Sequence, residues 1–166
     1  MNRFQKAMDY YLKQYRSGVR TVAIGAHYDG DYWLTDGWVC HRIPESEMEL
    51  NPAILKESPV DVERFIKNAE KGELLKDTKT KRFYSGKYVI AFSSDNLCAW
   101  VDERLIKTFD YSLSNSRISL VGAKANEAIK VQNNGVTAGI IMPVRVNFED
   151  EVKNLFALTK KGNAND

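Results

Sequence analysis

The sequence predicts an α+β fold in which two main helices pack on antiparallel sheets within one domain. Three observations predict it. Apolar residues recur at spacings of three and four in two stretches, Phe4 to Tyr15 and Leu97 to Phe109, which is the period of an amphipathic helix. Elsewhere apolar and polar residues alternate, the period of a strand with one wet face. Asp29-Gly30, Ser85-Gly86 and Asn134-Gly135 stand between such runs, where glycine tolerates the positive φ of a tight hairpin. At 166 residues the chain suits one domain with a substantial core.

Phe4, Met8, Tyr11, Leu12 and Tyr15 make the inward stripe of the first helix, which ends at Gly18. Arg3, Lys6, Lys13 and Arg16 gather on its other side. Val22, Ile24 and Ala26 then alternate toward the turn at Asp29-Gly30. The returning strand Tyr32 to Ile43 contains Asp36-Gly37, a second turn or a bulge. Residues 45–82 read as an insertion punctuated by Pro52 and Pro59. Within it Ser58-Pro59 signals a helix start, and Val62, Phe65, Ile66 and Ala69 carry a short helix to Gly72. Lys76, Lys79, Lys81 and Arg82 suit a solvated loop or edge strand. Phe83, Tyr88, Ile90 and Phe92 suggest strands about Ser85-Gly86. Ser93, Ser94 and Asp95 offer cap oxygens to the second main helix, Asn96 to Phe109. The last strands, Ser116 to Val131 and Val136 to Val146, form a long hairpin around Asn133-Asn134-Gly135.

Charge is segregated although the net value is only +2. Residues 1–20 carry five cations against Asp9, and residues 45–57 carry Glu45, Glu47, Glu49 and Glu57 against Lys56. Cys40 and Cys98 have no CxxC partner and read as buried free thiols. No apolar run approaches the length that spans a bilayer, so a cytoplasmic protein without membrane contact is expected.

The ending Met142-Pro143-Val144-Arg145, with Ile118, Ile129 and Gly135 before it, resembles the C-terminus of the bacterial DNA polymerase sliding clamp, the beta subunit. In that family a Met-Pro-x-Arg strand closes the last domain and borders a partner-peptide pocket. The resemblance implies a single DNA-clamp-like domain over residues 1–146, with Met142, Pro143, Val144 and Arg145 at the pocket. Two helices would lie side by side under sheets that join neighbouring domains into a ring. The basic face of Arg3, Lys6, Lys13 and Arg16 would then attract the phosphates of double-stranded DNA without reading bases. A chain with one such domain would need about six copies to close a ring. A phage or mobile element is a natural source for a one-domain form. The expected role is non-enzymatic, in DNA replication or repair, with replication proteins or their peptides and further copies of the chain as partners. The alternative is a protein interaction module on this fold that does not bind DNA.

Residues 147–166 extend past the clamp-like end. Phe148, Val152, Leu155 and Phe156 have helical spacing, with acids in the first turn and Lys160-Lys161 at the end. This tail either caps the sheet or presents Leu155 and Phe156, which resemble the Leu-Phe core of clamp-docking peptides. No phosphate-binding loop, dinucleotide fingerprint, HExxH or GxSxG pattern is present. Asp29, Asp31 and Asp36 sit in or beside turns, where aspartate serves the backbone. Tyr28, Tyr32, Trp33 and Trp38 suit strand packing more than base stacking. Neither a catalytic group, a metal site nor a cofactor is expected.

Overall fold

The computed structural model describes residues 1–18, 23–24, 28–58, 60–112 and 117–146. They form an α+β fold built on a nine-stranded sheet, whose strand pairs are all antiparallel. The expected tail contacts Leu155 and Phe156, like all of 147–166, lie outside the described residues, as do His27, Pro59 and Ser116.

Helix α1, Arg3–Arg16, begins with a reciprocal cap: Asn2 accepts from the Gln5 amide, and the Gln5 side chain accepts from the Asn2 amide. Phe4, Ala7, Tyr10 and Tyr11 are its buried residues. Leu12 and Tyr15, expected inside, are instead 45% and 64% exposed. The helix packs on β3 and on residues 107–109. Strands β1 (Ala23–Ile24), β2 (Asp31–Thr35) and β3 (Val39–Pro44) follow. Asp36-Gly37 proves to be the β2–β3 turn, since Asp36 Oδ1 accepts from the Trp38 and Val39 amides at 2.9 and 3.1 Å.

Helix α2, Val62–Glu70, starts later than Ser58-Pro59 would place it. Its cap is Asp61, which accepts from the Arg64 amide, while Ser58 Oγ is occupied by the Val60 amide. The basic stretch after Gly72 is strand, paired on one side only. Strand β4, Glu73–Tyr84, pairs with β7 through residues 73–75 and with β5 through residues 76–84. A bulge between Asp77 and Lys81, with Lys79 at φ 59°, redirects the strand so that it joins both parts of the sheet.

The largest correction concerns the second main helix. Cys98–Asp102 is strand β6, paired with β5 (Lys87–Ser93), and only Glu103–Ile106 forms the helix α3, extended by a 3-10 turn at Lys107–Phe109. Ser94, expected as a helix cap, closes the β5–β6 turn by accepting from the Asn96 and Leu97 amides. Cys98, Ala99, Trp100 and Val101 are all buried. A strand covered on both faces gives a continuous apolar run, and adding Leu97 and Leu105 counterfeits helical spacing.

The stretch from Ser116 to Val131 is likewise two strands, β7 (Ile118–Gly122) and β8 (Ile129–Asn133), followed by β9 (Val136–Ile141). Asn134 and Gly135, at φ 52° and 78°, make the expected hairpin turn into β9. The sheet order is β1-β2-β3-β9-β8-β7-β4-β5-β6. Beyond Ile141 the chain changes partner: the Met142 amide donates to Trp38 O at 2.9 Å, and the Val144 amide donates to Trp100 O at 2.7 Å. The segment after β9 therefore reaches β6 at the far edge and closes the sheet upon itself.

Alternation along the strands divides the core. Leu34, Val39, Ile43 and Ile141 face one cluster with α1, Leu105, Ile106 and Phe109, whereas Trp33, Cys40 and Ile140 face a second with Val62 and Ile66 of α2. Helix α1 and the 103–109 segment thus share one face and α2 covers the other. A third cluster, Val89, Ala91, Cys98 and Trp100, is covered by Tyr84, Val144 and Val146. Each large side chain buried this way contributes on the order of 1.5 to 3 kcal/mol.

Candidate partner and nucleic-acid surfaces

Proline at position 143 follows from the change of partner. Its neighbours donate in turn to the β2–β3 turn and to β6, so the residue between them lacks nothing by having no N–H. Pro143 is buried and Met142 and Val144 are half-buried, leaving Arg145 exposed. The apolar strand end expected to lie open is therefore largely spent on closing the sheet. Met142 still borders a cleft of about 330 Å³, lined by Phe65, Ala128 and Met142 with Arg64, Asn68, Asn126 and Glu127 around them. The Arg64 guanidinium lies 5.4 Å from the Phe65 ring centre. An apolar floor with amide and charged groups around it suits a short peptide that offers one apolar side chain and its own backbone polar groups. Pro143, Val144 and Arg145 do not line this cleft.

The basic face of α1 is partly answered from within the protein. Lys6 Nζ sits 2.8 Å from both carboxylate oxygens of Asp110, and Lys13 Nζ lies 3.3 Å from Asp9. The acidic stretch seen in the sequence docks at the helix start: Glu47 accepts from the Arg3 amide at 2.7 Å, and Glu49 accepts from the side chains of Asn2 and Gln5. Carboxylates there satisfy open amides and match the positive end of the helix dipole. Arg3, Lys13 and Arg16 remain exposed. The local excess of positive charge is thus smaller in space than along the chain.

Beside this helix start lies a cleft of about 480 Å³ that reaches His41, Thr108, Phe109 and Asp110. Tyr11 donates to the Leu34 carbonyl at 2.6 Å and stands 2.7 Å from His41 Nδ1, which fits an Nδ1–H donating to the phenol. Thr108 Oγ1 lies 2.7 Å from Nε2 and donates to the Leu105 carbonyl at 2.6 Å. The imidazole stacks on Phe109, 4.6 Å between ring centres. Burial lowers the His41 pKa from 6.5 to about 4, although Asp36 pulls the other way. The ring is neutral near pH 7 and is bound at both nitrogens. Burial also raises the Tyr11 phenol and the Cys40 thiol well above their usual ranges, and the Cys98 thiol to about 11.

The aspartates near the first turns have structural partners. Arg42 pairs with Asp31 at 2.5 Å and Asp29 at 3.2 Å, while Asp36 accepts from the Tyr10 hydroxyl at 2.7 Å. No group of three or more His, Cys, Asp or Glu suited to a metal occurs among the described residues. No helix among them is long and apolar enough to cross a membrane. Trp33 is buried and donates to the Tyr28 carbonyl, whereas Trp38 is 49% exposed beside the Met142 backbone.

At the end of the β4–β5 hairpin the basic stretch and the aromatic residues form one surface, which their positions in the sequence do not show. Phe83 and Tyr88 face each other across the strands with ring centres 5.2 Å apart, and both are at least half exposed. Lys81 Nζ lies 4.3 Å from the Tyr88 ring centre and 2.8 Å from Glu103. The signal was present as Lys81-Arg82-Phe83-Tyr84 and Lys87-Tyr88, but its meaning depends on the strands pairing in this register. No protein-family model matches the chain, and no curated protein or solved structure does so either.

Proposed function

We propose that this chain is a non-enzymatic, clamp-like protein of DNA replication or repair that works by binding a protein partner in the cleft beside Met142. The observation that carries this reading is the closing segment: Met142-Pro143-Val144-Arg145 follows the last strand, and Met142 borders an apolar cleft between α2 and the β7–β8 loop. The second helix that the clamp resemblance implies is here only the single turn Glu103–Ile106. Protein binding is favoured over a DNA-encircling ring for two reasons. The acidic stretch and Asp110 offset the basic face of α1, and the closing segment already occupies part of the β6 edge at Trp100.

DNA contact through Arg3, Lys6, Lys13 and Arg16 is the second reading, favoured by the exposure of Arg3, Lys13 and Arg16. A labelled peptide with a Leu-Phe core, titrated against the protein and against Met142→Glu, tests the first. Binding that falls at least tenfold in the variant supports it, and equal binding or none refutes it. Light scattering with and without duplex DNA tests the second: a ring-sized assembly or a DNA complex supports clamp behaviour, and a strict monomer without DNA binding refutes it.

A further inference from the structure

We propose that the open end of the β4–β5 hairpin is a binding surface for single-stranded nucleic acid, with Phe83 as the base-stacking platform. Residues 76–88 carry Lys76, Lys79, Lys81, Arg82 and Lys87 against Asp77, a balance of +4 in a chain whose net charge is +2. The hairpin is thus one of two basic stretches, with residues 1–20 the other. Lys107 adds a second cation at Glu103, 3.0 Å away, so the acid nearest the aromatic pair is already answered from two sides.

The aromatic pair makes the surface more than a solvated strand end. Phe83 and Tyr88 are 65% and 50% exposed, at the end of a strand face whose next pair, Lys81 and Ile90, leads into the buried core. The two exposed rings together offer an apolar, aromatic surface to a ligand. Their edge-to-face packing at 69° and the ammonium over Tyr88 fix the rings before anything binds, which limits the entropy lost on stacking. Flanking cations attract phosphates, and an exposed ring accepts any base by its π-face. Single strands offer both groups together, whereas duplex bases are already stacked and an acidic peptide offers no base. This inference stands independently of the clamp reading and of the Met142 cleft.

The test is fluorescence anisotropy of a labelled twenty-nucleotide oligothymidine with the full chain at low salt. The variants are Phe83→Leu and Lys76→Gln/Arg82→Gln, with circular dichroism to check folding. Phe83→Leu keeps an apolar side chain at an exposed position and should weaken binding about tenfold by loss of stacking. The double variant should lower the slope of log affinity against log salt by about 1.4. Absence of binding, unchanged affinity in Phe83→Leu, equal affinity for the duplex, or displacement of the oligonucleotide by polyglutamate at equal charge would each overturn the proposal.

Discussion

His41 supplies a stability switch whose size follows from its surroundings. The ring is 5% exposed and enclosed by Tyr10, Tyr11 and Phe109, with Thr108 on Nε2. Its pKa falls from 6.5 to about 4 on folding because burial penalises the imidazolium more than Asp36 favours it. The unfolded chain therefore binds more protons than the folded one between those values, and stability is lost as pH falls through that window. At about 1.4 kcal/mol per unit, lowering pH from 7 to 5 should remove about 2 kcal/mol through this residue. The comparison is His41→Leu, in which Tyr11 keeps the Leu34 carbonyl and Thr108 keeps the Leu105 carbonyl. Urea denaturation of both proteins at several values between pH 7 and pH 5 isolates the effect, since groups common to both cancel. The parent should lose about 2 kcal/mol more than the variant over that range. Parallel curves, or a parent that gains stability on acidification, would refute the reasoning.

Gly139→Ala places a Cβ 2.1 Å from the Cys40 carbonyl and 2.6 Å from the Phe109 ring; urea denaturation should show a loss of about 3 kcal/mol, because a backbone oxygen inside the sheet cannot step aside. Val144→Pro removes the donor to Trp100 O and should cost about 1 to 3 kcal/mol, with hydrogen exchange rising first in β6. Both thiols should resist iodoacetamide at pH 8 in the folded protein and react in urea, because burial holds Cys98 near 11 and Cys40 higher, leaving little thiolate. A mass spectrum showing alkylation of the native protein would contradict that placement.

Local chemistry written into neighbouring residues determined the first helix, the hairpin turns at Asp29-Gly30, Ser85-Gly86 and Asn134-Gly135, and the alternation of β2, β3 and β9. Capping side chains and positive-φ glycines act within a few residues of themselves, so their effect is legible without a fold. The sequence also carried the short helix after Pro59, though not that Asp61 caps it.

Tertiary structure decided the rest. Cys98 to Val101 is a strand paired with β5 whose two faces are buried in separate clusters, Ala99 and Val101 in one and Cys98 and Trp100 in the other, and a run buried on both sides loses the alternation that marks a strand. Leu12 and Tyr15 are exposed although helical spacing groups them with the buried residues of α1. The meeting of Glu47 and Glu49 with the start of α1, and of Asp110 with Lys6, joins residues 44 to 104 positions apart. Those pairings change what the basic helix can attract. Phe83, Tyr88 and the cations around them likewise became one surface only when β4 turned at its bulge and paired with β5. Interactions of this kind depend on distances that chain order does not encode, since side chains remote in sequence meet only where the closed sheet and its helices bring them together.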